Sequence, residues 1–187
     1  MTRSVAAWLF VPAVLAMTGA LSGCKVTFST KPMGMEAVTL NPEEWNGIWR
    51  DPANNGFVAV RVADAGQGVL EVAGVETRED SLELKKLRVH VRQANNWMFL
   101  SWESDERPGH YLWWKIKRSE DMAVLWAPHW DRIVKLVRDG ALPGKQVGEN
   151  VLVLDELDSK GYSILTSEEN VLMDWENPIV LLRTKNR

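Results

Sequence analysis

The chain has 187 residues, with 22 Lys and Arg against 25 Asp and Glu, a net charge of −3 and one cysteine. This mild acidity argues against non-specific nucleic-acid binding. One thiol also excludes an intrachain disulfide, so the fold has to stand on its apolar core.

The chain begins MTRSVAAWLFVPAVLAMTGALSGC. A basic Arg3 is followed by a mostly apolar run over 5–21 and then small residues, the order of a secretory signal. Pro12, Thr18 and Gly19 interrupt the run and weaken it as a permanent span. The alternative is an uncleaved anchor helix with an incidental cysteine. The stretch LSGC, ending at Cys24, resembles the lipobox of bacterial lipoproteins. That resemblance implies removal of residues 1–23 and acylation of Cys24 with a diacylglyceryl thioether and an amide-linked acyl chain such as palmitate. Two or more chains anchor stably where one does not. Lys25 replaces the aspartate that favours inner-membrane retention in enterobacterial lipoproteins, so the resemblance implies the outer membrane, facing the periplasm. The remaining length suits one domain.

Residues 24–40 lack periodicity and read as a lipidated N-terminus and tether, with the folded domain over 41–187. In NPEEW, Asn41 is a cap, Pro42 suits the first helical position and Glu44 sits three residues after Asn41, which predicts a helical turn. Strand-like segments follow: WNGIWR, then FVAVRVA with Val58, Val60 and Val62 on one face, then VLEVAGVE. Over 82–92 the apolar parity changes from Leu82 and Leu84 to Leu87, Val89 and Val91, which predicts a β-bulge near Lys85 and Lys86. WMFLSWES, HYLWWKIK and MAVLWAP are aromatic strands separated by turn residues. Trp130, Ile133, Val134 and Val137 form a helical stripe over 130–139, with Gly140 as its stop. VLVLDEL is a strand. Residues 158–169 are ambiguous, with Tyr162 and Leu165 on one face of a short helix. VLMDWENP and IVLLRTK are extended.

This pattern predicts a mainly β fold, an antiparallel barrel of about eight to nine strands with one or two short helices. Closure is favoured because no strand is charged enough to serve as a protected edge. Gly47-Ile48-Trp49, after the helical turn, resembles the G-x-W of lipocalins and related calycins. In such barrels the tryptophan plugs the closed end and an arginine near the last strand packs across it; Arg183 occupies the matching place here. The resemblance therefore implies a lipocalin-like barrel closed by Gly47, Trp49 and Arg183.

Alternation puts Trp114 with Leu112 and Ile116, and Trp126 with Met122 and Val124, both sets toward the core. Trp102 falls with Met98 and Leu100, and Trp97 with Phe99. Trp113 shares a face with Tyr111, Lys115 and Lys117 and is expected to look outward or toward a partner. Aromatic faces stack on sugars, lipids or peptides, or simply fill a large core. Val60, Leu112 and Trp114 are the expected ligand-lining residues. His90, His110 and His129 have no metal-ligand spacing, and no metal or cofactor is expected. The acidic groups Glu103, Asp105, Glu106 and Asp155, Glu156, Asp158 read as solvated turns. No nucleophile elbow, P-loop or dinucleotide fingerprint is present, so no catalytic residue is expected. The expectation is a membrane-anchored envelope lipoprotein that acts as a non-catalytic binding module for an apolar or amphipathic ligand. The alternative is an accessory or assembly subunit of an envelope protein complex.

Overall fold

The computed structural model describes residues 25–78, 81–167, 169 and 171–184. Cys24 and the leader before it lie outside these residues.

The architecture is mainly β. Strands β3 (Gly47–Asp51), β4 (Gly56–Asp64), β5 (Val69–Arg78), β6 (Ser81–Ala94), β7 (Trp97–Glu103), β8 (Tyr111–Arg118) and β9 (Met122–Trp126) pair with their chain neighbours as an antiparallel meander. The last strand, β12 (Ile179–Arg183), pairs with β9 on one side and β3 on the other, closing an eight-stranded antiparallel barrel. Closure removes the bare edges that an open sheet of this length would expose. Local chemistry supports the meander: Asn95, with φ of 54°, makes the tight β6–β7 turn, where a left-handed conformation suits asparagine.

Three short elements precede the barrel. β1 (Val26–Ser29) pairs with the start of β8, and β2 (Glu36–Ala37) pairs with the end of β6. Helix α1 (Pro42–Trp45) is capped as its sequence predicts, the Asn41 side chain accepting from the Glu43 N–H at 3.1 Å. Between β9 and β12 the chain makes an insert: helix α2 (Trp130–Arg138), strands β10 (Gly144–Gln146) and β11 (Val151–Leu154), and helix α3 (Ser159–Leu165). β11 runs parallel to β1, so β10, β11 and β1 form a small side sheet, attached to β8 where β9 diverges from it.

The insert divides the apolar residues into two cores. The first fills the barrel and includes Trp45, Trp49, Trp102, Leu112 and Trp114. The second lies outside it, where Trp97, Phe99 and Trp113 on the outer face of β7 and β8 meet Ile133 and Val134 of α2 and Tyr162 and Leu165 of α3.

The structure corrects four sequence expectations. Residues 25–40 are not a tether: β1 is paired from Val26 onward, and Phe28, Met33 and Leu40 are buried. Phe28 lies in a strand of four residues, and Met33 and Leu40 enter the fold singly outside the strands, which leaves no periodicity to detect. The β5–β6 register runs unbroken from Val69–His90 to Arg78–Ser81, so there is no bulge at Lys85 and Lys86. Leu84 instead lies on the outer face, 65% exposed, and the register shift falls between Val62 and Asp64. In β9 it is Ala123 and Leu125 that enter the barrel core, while Met122 is exposed and Trp126 packs outside. Every residue of MAVLW is apolar, so alternation could not choose a face. Finally, Trp113 faces away from the barrel interior as expected but is fully buried, because the insert covers it.

Candidate functional site

At one end of the barrel, Gly47, Trp49 and Arg183 come together. Arg183 on β12 is in register opposite Trp49 on β3. Its guanidinium donates to the carbonyls of Glu43, at 2.8 Å, and Asn46, at 2.6 Å, tying the last strand to the exposed carbonyl end of α1. Gly47 has φ of 148°, and a Cβ there would stand 3.1 Å from Arg183 Nε, so only glycine fits without a shift. The Trp49 indole N–H donates to the Trp45 carbonyl at 3.1 Å. Among the described residues, the cation–π contact at this end is made by Arg118, 5.2 Å from the Trp45 ring and ion-paired with Glu44. At the opposite end Lys85, on the inward parity of β6, is ion-paired with Asp105 of the β7–β8 loop at 2.8 Å, and Arg107 lies 5.8 Å from the Phe28 ring.

Between these ends lies an apolar cavity of about 60 Å³, walled by Trp45, Trp49, Val60, Trp102 and Leu125 among others. Pockets that hold drug-sized ligands run to roughly 300–1,000 Å³. Of the expected lining residues, Val60 is on the cavity wall, while Leu112 and Trp114 are buried in the barrel core without lining it. The Trp102 indole N–H is buried without an acceptor among the described residues.

Outside the barrel, Lys115 is 8% exposed and enclosed by three indoles, its Nζ lying 4.8 Å from Trp97, 4.3 Å from Trp126 and 4.7 Å from Trp175. An ammonium over indole faces is attracted by the ring quadrupole. This constellation escaped sequence reasoning because its members come from β7, β8, β9 and the connection before β12. A polar cleft of about 430 Å³ lies between the chain after β1 and the chain before α3. In it the Tyr162 hydroxyl accepts from the Gly34 N–H at 2.7 Å, and burial raises the Tyr162 pKa. Arg92 donates to the Gly34 and Met35 carbonyls there, so both groups serve to hold the backbone. His90, on the outer face of β6, has its pKa lowered by burial, then by Arg88 and Arg92. No cluster of His, Cys, Asp and Glu that could hold a metal ion occurs among the described residues.

The bare outer wall, beyond the cover of the insert, carries an exposed apolar row. Leu182 is in register with Met122 on one side and Arg50 on the other, and Arg50 is in register with Phe57. Phe57 and Val75 each lie one residue beyond the Val58–Gly74 pair, and Val75 pairs with Leu84. Met122, Leu182, Phe57, Val75 and Leu84 are all exposed, Phe57 by 51%, and Ile48 extends the row on β3. Sequence reasoning missed this surface because each strand contributes only one or two of its residues.

The fold defines a closed up-and-down β-barrel with a helical insert. The chain matches no protein-family model, and comparison with curated proteins and with solved structures finds no match.

Proposed function

We propose that the protein is a lipid-anchored envelope lipoprotein of the outer membrane, facing the periplasm, that serves as a non-catalytic accessory subunit docking onto an envelope protein. The observation that carries this reading is the row Met122, Leu182, Phe57, Val75 and Leu84 on the bare wall. Exposed apolar side chains set in register across neighbouring strands are costly to leave in water and mark contact surfaces. Its partner is a protein with a matching apolar face, and Arg50 within the row offers a cation for a carboxylate at its centre. The lipid anchor at Cys24 supports the reading because tethering raises local concentration at the membrane. A photo-crosslinking residue placed at Phe57 in the full chain should capture one partner in native membranes, and the same probe at exposed Lys160 should not. Leu182→Glu should abolish the capture without lowering thermal stability by more than a degree or two. Equal capture from both positions would overturn the docking reading.

A second reading has its own observation. The cavity is walled by apolar side chains, and the unpartnered Trp102 N–H beside it would suit a ligand with one acceptor group. On this reading the barrel binds a small apolar or amphipathic ligand, and at about 60 Å³ it takes only a short apolar group without widening. Titration with fatty acids, lysolipids and apolar dyes, followed by tryptophan emission, tests it. Saturable binding that Val60→Trp eliminates supports the carrier; absence of saturable binding removes it.

A further inference from the structure

The connection between the anchor and the fold is one residue long. Cys24 is followed by Lys25, and Val26 is already in the side sheet, paired with Val151 and donating its N–H to the Asn150 carbonyl at 2.8 Å. Lys25 is itself held: its ammonium is 2.6 Å from Asp131 and 4.8 Å from the Trp130 ring, both in the first turn of α2. Successive Cα atoms are about 3.8 Å apart, and the headgroup layer of a bilayer is roughly 5–8 Å deep. An acyl chain on Cys24 therefore leaves the domain no slack to stand off or turn over.

We infer that one side of the insert lies against the lipid headgroups: the exposed face of α2, beginning at the turn that holds Lys25, together with the β10–β11 turn. This inference rests on the lipid-anchor reading of Cys24. The composition of this wall suits an interface. Val147, in the β10–β11 turn, is 38% exposed, and Arg132, Lys135 and Arg138 lie along the exposed face of α2, where Asp131 and Asp139 pair with Lys25 and Lys135. The wall is one surface, because Arg138 donates to Gln146 at 2.7 Å and Gln146 donates to the carbonyls of Gly148 and Glu149, each at 3.0 Å.

The test uses the full acylated chain in vesicles of phosphatidylethanolamine and phosphatidylglycerol that carry a headgroup quencher. Val147→Cys and Phe57→Cys are each labelled with a fluorophore; an acylated Cys24 offers no competing thiol. The label at position 147 should be quenched at least three-fold more than the label at 57. Inserting ten Gly and Ser residues after Cys24 should bring the two to the same level, since such a linker is a flexible coil. Equal quenching without the linker, stronger quenching at 57, or unchanged quenching at 147 after the insertion would each overturn the orientation. Uptake of label at Cys24 by the unsubstituted membrane-bound protein is a separate result: it overturns the anchor reading, and the orientation with it.

Discussion

At the scale of single residues, the closed end is the most legible part of the site. G-x-W with a late arginine drew attention to Gly47, Trp49 and Arg183, and the chain does bring them together. The sequence could not reveal that the guanidinium would serve backbone carbonyls, because the orientation of α1 depends on how β12 enters the barrel. Gly47→Ala combines strain at positive φ with a close approach to Arg183 and should cost about 1–3 kcal/mol. Arg183→Ala removes two charge-assisted hydrogen bonds and should cost about 1–3 kcal/mol; urea midpoints that move with an unchanged slope would establish both. The Lys115 cage was illegible for a simpler reason: 97, 126 and 175 are too far apart in sequence to suggest a common neighbour. Lys115→Ala leaves a void between three indoles and should cost about 2–4 kcal/mol, read the same way. His90 resists protonation when folded, so the unfolded chain takes up a proton first as pH falls below the ordinary histidine value of 6.5. Stability should decline from that pH downward until the lowered native pKa is passed, and His90→Gln should flatten this part of the profile. Tyr162 gives the opposite limb. Its neutral form is favoured in the fold, so its contribution is complete below pH 10 and is lost as pH rises through the raised native value. Tyr162→Phe should flatten that alkaline loss, yet cost about 1–3 kcal/mol at pH 7, since it leaves the Gly34 N–H unpaired.

At the scale of elements, α2 shows what periodicity does well. Its stripe was readable from the sequence: Ile133 and Val134 are buried, Trp130 and Val137 half-buried, and the stop is built as expected. Gly140, with φ of 73°, donates to the Val137 carbonyl at 3.1 Å while Ala141 reaches back to Leu136 at 2.8 Å, satisfying two end carbonyls. Val134→Asp places an unpaired carboxylate in the second core and should cost several kcal/mol. Calorimetry would show a lower midpoint, and near-native stability would mean that α2 does not bury this face. Strands were less legible where both faces are apolar. β9 could not be oriented from MAVLW because the barrel interior buries one side while Trp126, on the other, packs against the insert. At the β5–β6 hairpin the change of parity was real in the sequence, but it marked the place where Leu84 belongs to the outer wall, not a break in pairing.

At the scale of the whole molecule, the barrel itself was visible as a series of short alternating strands, and its closure followed from the shortage of charged edges. The second core was not visible, because it forms only when an insert between β9 and β12 folds back over β7 and β8. Around the ring of eight strands β8 and β4 stand four places apart. Phe57, on β4, therefore lies across the barrel from the strand that carries the side sheet, and an acylated protein would hold it away from its own membrane. The closing strand also sets an order of events. β12 sits between β9 and β3, and it reaches β3 across more than half of the chain, a long-range pairing of the kind that folds slowly. A chain ending at Asn177 would lack β12, leaving β3 and β9 each with a bare edge, and should run as soluble aggregate without a cooperative thermal transition. During synthesis the ribosome delivers this strand after all of its partners, so until then the nascent chain holds only an open sheet. A barrel that shuts with its final stave keeps the lining of its core within reach of water until that stave arrives.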